Sequence, residues 1–347
     1  MTAQGRTVGL APRIVGSHRG TDVREITLTG EGGLEAQILT FGAVIRDLSL
    51  PLVAGGRRSL VLGFSAFDPY PAHSPYFGAL VGRYANRIGG GRFTLGEHTH
   101  VLDRNEAGTT TLHGGKAGFA TRIWDIVDHS DRHVTLGLMS PEGDQGFPGT
   151  LHVTCRYTLL PDNRLEVALR AKTDRPTPVN LTQHSYFNLD AGPDVSDHLL
   201  AVHADSFTPV GQDKIPTGGI LSVAGSPFDL RQPHRLGDLT VALDHNFVLR
   251  PAPDGPSRMR PVADLISLRA NLRLRVTTTK PGVQIYDGHM LDVAVPGHGG
   301  RHYGPQAGLC IETQFFPDSP NQPQFPDTVL AAGGDYDHRT IYAFEHI

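Results

Sequence analysis

The sequence predicts an all-β protein, a large antiparallel β-sandwich. Three observations carry this. Apolar residues recur at every second position in several segments, the period of a strand with one face in a core and the other in a polar setting. No segment of about twelve residues or more combines helical periodicity with helix caps. The 41 glycines and 26 prolines are spread along the chain as turn punctuation rather than gathered into one linker.

The strands can be taken in order. Val134, Leu136 and Leu138 alternate with their neighbours and read as one. Leu151, Val153, Cys155, Tyr157 and Leu159 alternate with His152, Thr154, Arg156 and Thr158. A Pro161-Asp162-Asn163 turn follows, and then Leu165, Val167 and Leu169 alternate with Arg164, Glu166 and Arg170, which completes a β-hairpin. Leu272, Leu274 and Val276 alternate with Arg273, Arg275 and Thr277 in the same way. No break in composition marks a boundary, so residues 1–347 are expected to form a single domain, with 1–20 as a poorly ordered N-terminal extension.

Composition excludes several classes. Hydrophobic residues at 39% and charged ones at 19% fit a globular chain rather than a disordered one. A net charge of −4 offers no basic surplus for nucleic acid. No run of roughly eighteen apolar residues could span a membrane, and the N-terminus lacks the apolar core of a signal peptide. The two cysteines, Cys155 and Cys310, fit no CxxC spacing and are expected as buried thiols in a cytoplasmic protein. Among 18 histidines, His98 and His100 would share a strand face, but no third ligand at metal spacing accompanies them, so exposed histidines and no metal are expected. Gly89-Gly90-Gly91 is not a dinucleotide fingerprint, and neither a P-loop nor a GxSxG elbow occurs.

Six segments set polar residues in glycine-rich or apolar surroundings. They are Gly82-Arg83-Tyr84-Ala85-Asn86-Arg87-Ile88, Leu112-His113-Gly114-Gly115, residues 180–189 (NLTQHSYFNL), Leu243-Asp244-His245-Asn246-Phe247, Pro281-Gly282-Val283-Gln284-Ile285-Tyr286 and Leu309-Cys310-Ile311-Glu312-Thr313-Gln314. Amides, carboxylates, a guanidinium and aromatic walls are what a sugar site needs. Taken singly, each segment reads better as polar groups that cap turns and satisfy buried backbone. Together and in this order they resemble the aldose 1-epimerase (galactose mutarotase) family, from about Phe41 to the C-terminus. Ile215-Pro216-Thr217-Gly218, Pro227-Phe228-Asp229 and the 317–323 stretch (PDSPNQP) belong to the likeness.

The resemblance implies a supersandwich of antiparallel sheets, with His184 as general acid and Glu312 as general base. It assigns sugar contacts to Asn86, Arg87, His113, Asp244 and Gln284, and it puts Tyr186 on the pocket wall. No metal or cofactor is implied. The chain departs from the family's usual Thr-Gly-Asn after Tyr286, carrying Asp287-Gly288-His289 instead, and matches poorly over 251–260. The expected partner is a free monosaccharide, and the expected assembly a monomer or homodimer.

The chemistry so implied is ring opening at the C1–O5 bond and closure on the other face of C1. Glu312 would act as a carboxylate, so the rate is expected to fall in acid. His184 would either have its pKa raised by nearby carboxylates or donate from a neutral ring. Three other readings stand beside this one. A non-catalytic carbohydrate-binding sandwich needs no matched acid and base. A glycosidase needs two carboxylates flanking the bond. An epimerase of pentoses or hexose 6-phosphates would, for the phosphate, need a basic cluster.

Overall fold

The computed structural model describes residues 11–252, 255 and 258–347. Strands dominate it, and the one α-helix among the described residues is the single turn Tyr70–His73. Three antiparallel sheets account for most strands. The largest has nine, running Asp125–His129, His133–Ser140, Leu151–Leu160, Arg164–Thr173, Tyr336–His346, Leu272–Thr278, Arg260–Ser267, Leu199–Val202 and His234–Arg235. The hairpin read from the sequence pairs Leu151 with Thr173 through to Leu160 with Arg164. Its turn residues Asp162 and Asn163 sit at φ 60° and 52°, a left-handed conformation that Asp and Asn tolerate better than most residues.

The expected N-terminal extension over 1–20 does not hold from Arg13 onward. Arg13–His18 is a strand paired with Thr21–Thr29, at the edge of a five-stranded sheet completed by Glu35–Leu39, Ile45–Pro51 and Arg57–Ser59. An edge strand with one mostly solvated face shows no clean alternation, which hides it from a periodicity reading. Residues 1–10, and 253, 254, 256 and 257 within the poorly matching 251–260 stretch, lie outside the described residues.

The third sheet has six strands, in the order Tyr186–Phe187, Leu309–Gln314, Gly282–Tyr286, Asp244–Leu249, Ala204–Thr208 and Leu221–Ser222. Successive strand residues point to opposite faces. Leu309, Ile311, Val283, Ile285, Phe247 and Leu249 therefore share one face and join a core with Val153, Tyr157, Val167, Leu274 and Tyr342 of the nine-stranded sheet. That shared core makes the sandwich. Cys310, Glu312, Gln284, Tyr286 and Asp244 fall on the opposite face, set side by side by the pairings Glu312–Gln284, Cys310–Tyr286 and Tyr286–Asp244. A one-residue slip would exchange the two sets.

Candidate active site

A cavity of about 310 Å³ opens on that second face. This is the low end of the usual range for small-molecule sites, about 300–1,000 Å³. Glu312 and Asp244 reach it from the six-stranded sheet, and His184 and Tyr186 from the adjoining 182–187 segment. Arg87 and His113 arrive on the short paired strands Arg87–Ile88 and Thr111–Leu112 and the turn that follows. Asn180 fastens three of these segments together, accepting from Phe315 N–H (2.9 Å) and donating to the Ala85 and Phe315 carbonyls (both 3.2 Å). Arg83, in the same motif as Arg87, faces away and spends its guanidinium on the Pro148, Gly149 and Ser140 carbonyls.

At the cavity floor His184 Nε2 lies 3.6 Å from Glu312 Oε2. Both side chains are almost wholly buried, and that carboxylate oxygen has no hydrogen-bond partner among the described residues. Burial pushes Glu312 up to about 8, helped by the Asp244 charge and opposed by Arg87. Burial pushes His184 down to about 4, against a hydrogen bond to its own carbonyl and the pull of Asp244. Of the two alternatives for His184, a raised pKa does not hold, because desolvation outweighs the pull of Asp244, and the ring is neutral.

His113 is neutral, driven well below its ordinary value by burial and then by His184 and Arg87. Its Nδ1 accepts from Asn86 N–H (3.1 Å), so Nε2 carries the hydrogen and is a donor. Asn86 makes this contact from φ 64° and accepts from Arg87 N–H through its own side chain (2.9 Å). Arg87 is clamped by Glu106 through two bonds of 2.8 and 2.7 Å, and its Nη1 lies 4.0 Å from Asp244. Burial raises the Asp244 carboxyl, yet Arg87, Lys214 and Gln284 together bring it below its ordinary value. Asp244 therefore stays ionised.

Seven of the eight residues singled out in the sequence line the cavity: Asn86, Arg87, His113, His184, Tyr186, Asp244 and Glu312. Gln284 does not. It is buried beside the wall and donates through Nε2 to Asp244 Oδ1 (2.8 Å). Three further residues went unnoticed in the sequence. Glu106 pairs with Arg87, and Tyr76 packs its ring on His184 (5.7 Å, 27°) and edge-on to His113 (4.7 Å). Lys214 binds Asp244 Oδ2 (2.9 Å) and touches Met290 at the rim. No local pattern marks Glu106 or Lys214, since each acts on a residue distant in sequence. The departing Asp287-Gly288-His289 stretch has a structural use. Asp287 accepts from Leu243 N–H (3.1 Å) and from His289 (2.6 Å), which ties down the chain just before Asp244.

His113, His184 and Glu312 each bring one potential metal-ligand atom within 4.8 Å of the others, a grouping that sequence spacing cannot show. The donor set does not suit a cation. Metal binding needs a bare ring nitrogen, whereas His113 Nδ1 is occupied by Asn86 N–H and Nε2 bears a hydrogen. His98 and His100 are not among the residues lining the cavity, His98 being exposed and His100 stacked on Phe93. Both cysteines are free and buried.

The sequence profile of the aldose 1-epimerase family matches residues 24–343. The aldose 1-epimerase of Escherichia coli K12 is 38% identical over 337 residues, 94% of this chain and 96% of that protein. The galactose mutarotase of Bos taurus is 42% identical over 318 residues, covering 90% and 91%. The crystal structure of an aldose epimerase homologue from C. elegans superposes with a TM-score of 0.88 at 31% identity, covering 93% of this chain and 99% of that one. The galactose 1-epimerase structure from Lactobacillus acidophilus gives 0.81 at 28% identity, covering 96% and 98%. A fold and a sequence shared with these enzymes over most of the chain leave one conclusion: the chain is an isomerase belonging to the aldose 1-epimerase family.

Proposed function

We propose that Glu312 and His184 interconvert the anomers of a free aldose by passing one proton between them and the sugar. The observation that carries this is the unpartnered Glu312 oxygen 3.6 Å from His184 Nε2, both buried and both on the cavity wall. Burial favours the uncharged pair in the empty site, a carboxylic acid beside a neutral ring. Sugar hydroxyls that donate to the carboxylate and accept from the ring favour the charged pair. From that state Glu312 takes the O1 proton and His184 gives its Nε2 proton to O5. The C1–O5 bond breaks, its electrons stay on O5, and C1 becomes an aldehyde. After rotation about C1–C2 the same two transfers run backwards on the other face.

Arg87 and the His113 Nε2–H are the donors available to negative charge developing at O5. Asp244, kept ionised, accepts from sugar hydroxyls, with Gln284 and Lys214 holding it. Asn86 offers its side-chain NH₂, and Tyr186 supplies an apolar wall. All of these groups come from one chain, so a monomer is sufficient to build the site. We infer that the shared core makes the chain a single domain. We also infer a cytoplasmic enzyme, from two unpaired, buried thiols.

The test is polarimetry on freshly dissolved α-galactose and α-glucose, with the spontaneous rate subtracted. Acceleration of both is expected, as is a turnover loss of about two to four orders of magnitude in Glu312→Gln and in His184→Ala. A folded Glu312→Gln protein with near wild-type turnover would remove the pair from the mechanism.

A further inference from the structure

Proton exchange at Nε2 of His184 requires that the other ring nitrogen be fixed. Nδ1 lies 3.6 Å from Cys310 Sγ, within reach of a hydrogen bond involving sulfur. Cys310 is completely buried and stands two residues before Glu312 on the same strand face, opposite Tyr186 and Tyr286. Burial holds its thiol well above the ordinary range, so the sulfur is uncharged and is no nucleophile here. The backbone carbonyl of His184 accepts from Gly78 N–H (3.0 Å). Burial favours a protonated Glu312, whose proton needs an acceptor at Nε2 3.6 Å away; the hydrogen of the neutral ring then sits on Nδ1, with the sulfur as its acceptor. Nε2 of the neutral ring is then bare, which suits the otherwise unpartnered Glu312 oxygen 3.6 Å away.

We propose that Cys310 is a positioning residue: its sulfur holds the permanent ring proton of His184 on Nδ1, so that Nε2 alone trades protons with Glu312 and the sugar. This rests on the reading of His184 and Glu312 as the exchanging pair. Sulfur suits the task because it is a weak acceptor. A carboxylate in its place would raise the ring's affinity for protons and oppose delivery to O5. The Tyr76 and Tyr186 rings pack against the imidazole but make no choice between its two nitrogens.

The test combines ¹⁵N NMR of histidine-labelled protein near neutral pH, where the pair holds its one proton, with polarimetric kinetics. His184 is assigned among the 18 histidines by comparison with His184→Ala. The wild-type ring is expected as one tautomer, Nδ1 protonated and Nε2 bare. Cys310→Ala is expected to mix the tautomers and lower kcat about three- to tenfold, the worth of one ordinary hydrogen bond, with KM little changed. Cys310→Ser, whose oxygen can accept the same N–H, should move kcat and the tautomer signal back toward wild type. A wild-type ring protonated on Nε2 overturns the proposal, even if neither variant folds. So does a Cys310→Ala protein with kcat and tautomer unchanged, or equal losses in Ala and Ser with the tautomer intact, which would mark simple packing. Turnover in Glu312→Gln tests the underlying acid–base reading separately, because the wild-type tautomer is observed without reference to activity.

Discussion

At the scale of single residues, the proposed mechanism requires that the His184–Glu312 pair hold one proton. Adding a second, near about 4, converts His184 to imidazolium beside a protonated Glu312; losing the only one, near about 8, leaves a carboxylate beside a neutral ring. These values belong to the pair rather than to either residue. The expected kcat/KM profile is a bell with limbs near those two points, read by polarimetry across pH. A rate still climbing well above the upper limb would contradict it. Stability follows with a definite sign. Glu312 in the fold holds its proton to about 8, whereas its ordinary value is 4.5. The native state therefore loses stability as pH rises through that window. Glu312→Gln lacks this loss, so its melting temperature relative to wild type should be higher at the top of the window than at the bottom. The identities of His184 and Glu312 were legible through their motifs. Their charge states were not, because the burial that sets them is assembled from strands far apart in the chain.

At the scale of elements, strands were readable and connections were not. The 151–173 hairpin follows from alternation and a turn whose Asp and Asn accept positive φ. Arg13–His18 was missed because an edge strand has little to bury. Glu106 and Lys214 were missed because they lie outside the strands and act through Arg87 and Asp244. The Asp287-Gly288-His289 departure gains a meaning only once Asp287 is seen to hold Leu243 N–H, the residue before Asp244. Asp287→Ala is accordingly expected to raise KM about three- to tenfold with a smaller effect on kcat, as for a lost positioning bond. Asp287→Asn, which keeps one accepting oxygen, should lose less. Equal KM in wild type and Asp287→Ala, measured by initial-rate polarimetry, would leave that anchor without a role in substrate binding.

For the whole molecule, alternation predicted the sandwich, and the shared apolar core of its sheets agrees. What alternation could not supply is which sheet face carries chemistry, since polar residues on a strand ordinarily face solvent. Here polar side chains of the second face are buried around a cavity. The same burial gathers His113, His184 and Glu312 into a group that resembles a metal site until the Asn86 N–H is counted. Turnover is therefore expected to survive exhaustive chelation, checked by polarimetry before and after treatment. Loss restored by a divalent ion would show that the His113 tautomer argument fails.

The parity of the central strands has a consequence for the cell. Ile311 enters the core and Glu312 the pocket because they are neighbours on one strand. Packing the hydrocarbon and placing the proposed base are thus one event, and a chain in the wrong register would bury charge and display grease. Such a molecule would be an unstable target for proteases and chaperones rather than a stable impostor. Cellular surveillance that senses only folding would, for this protein, also be auditing competence.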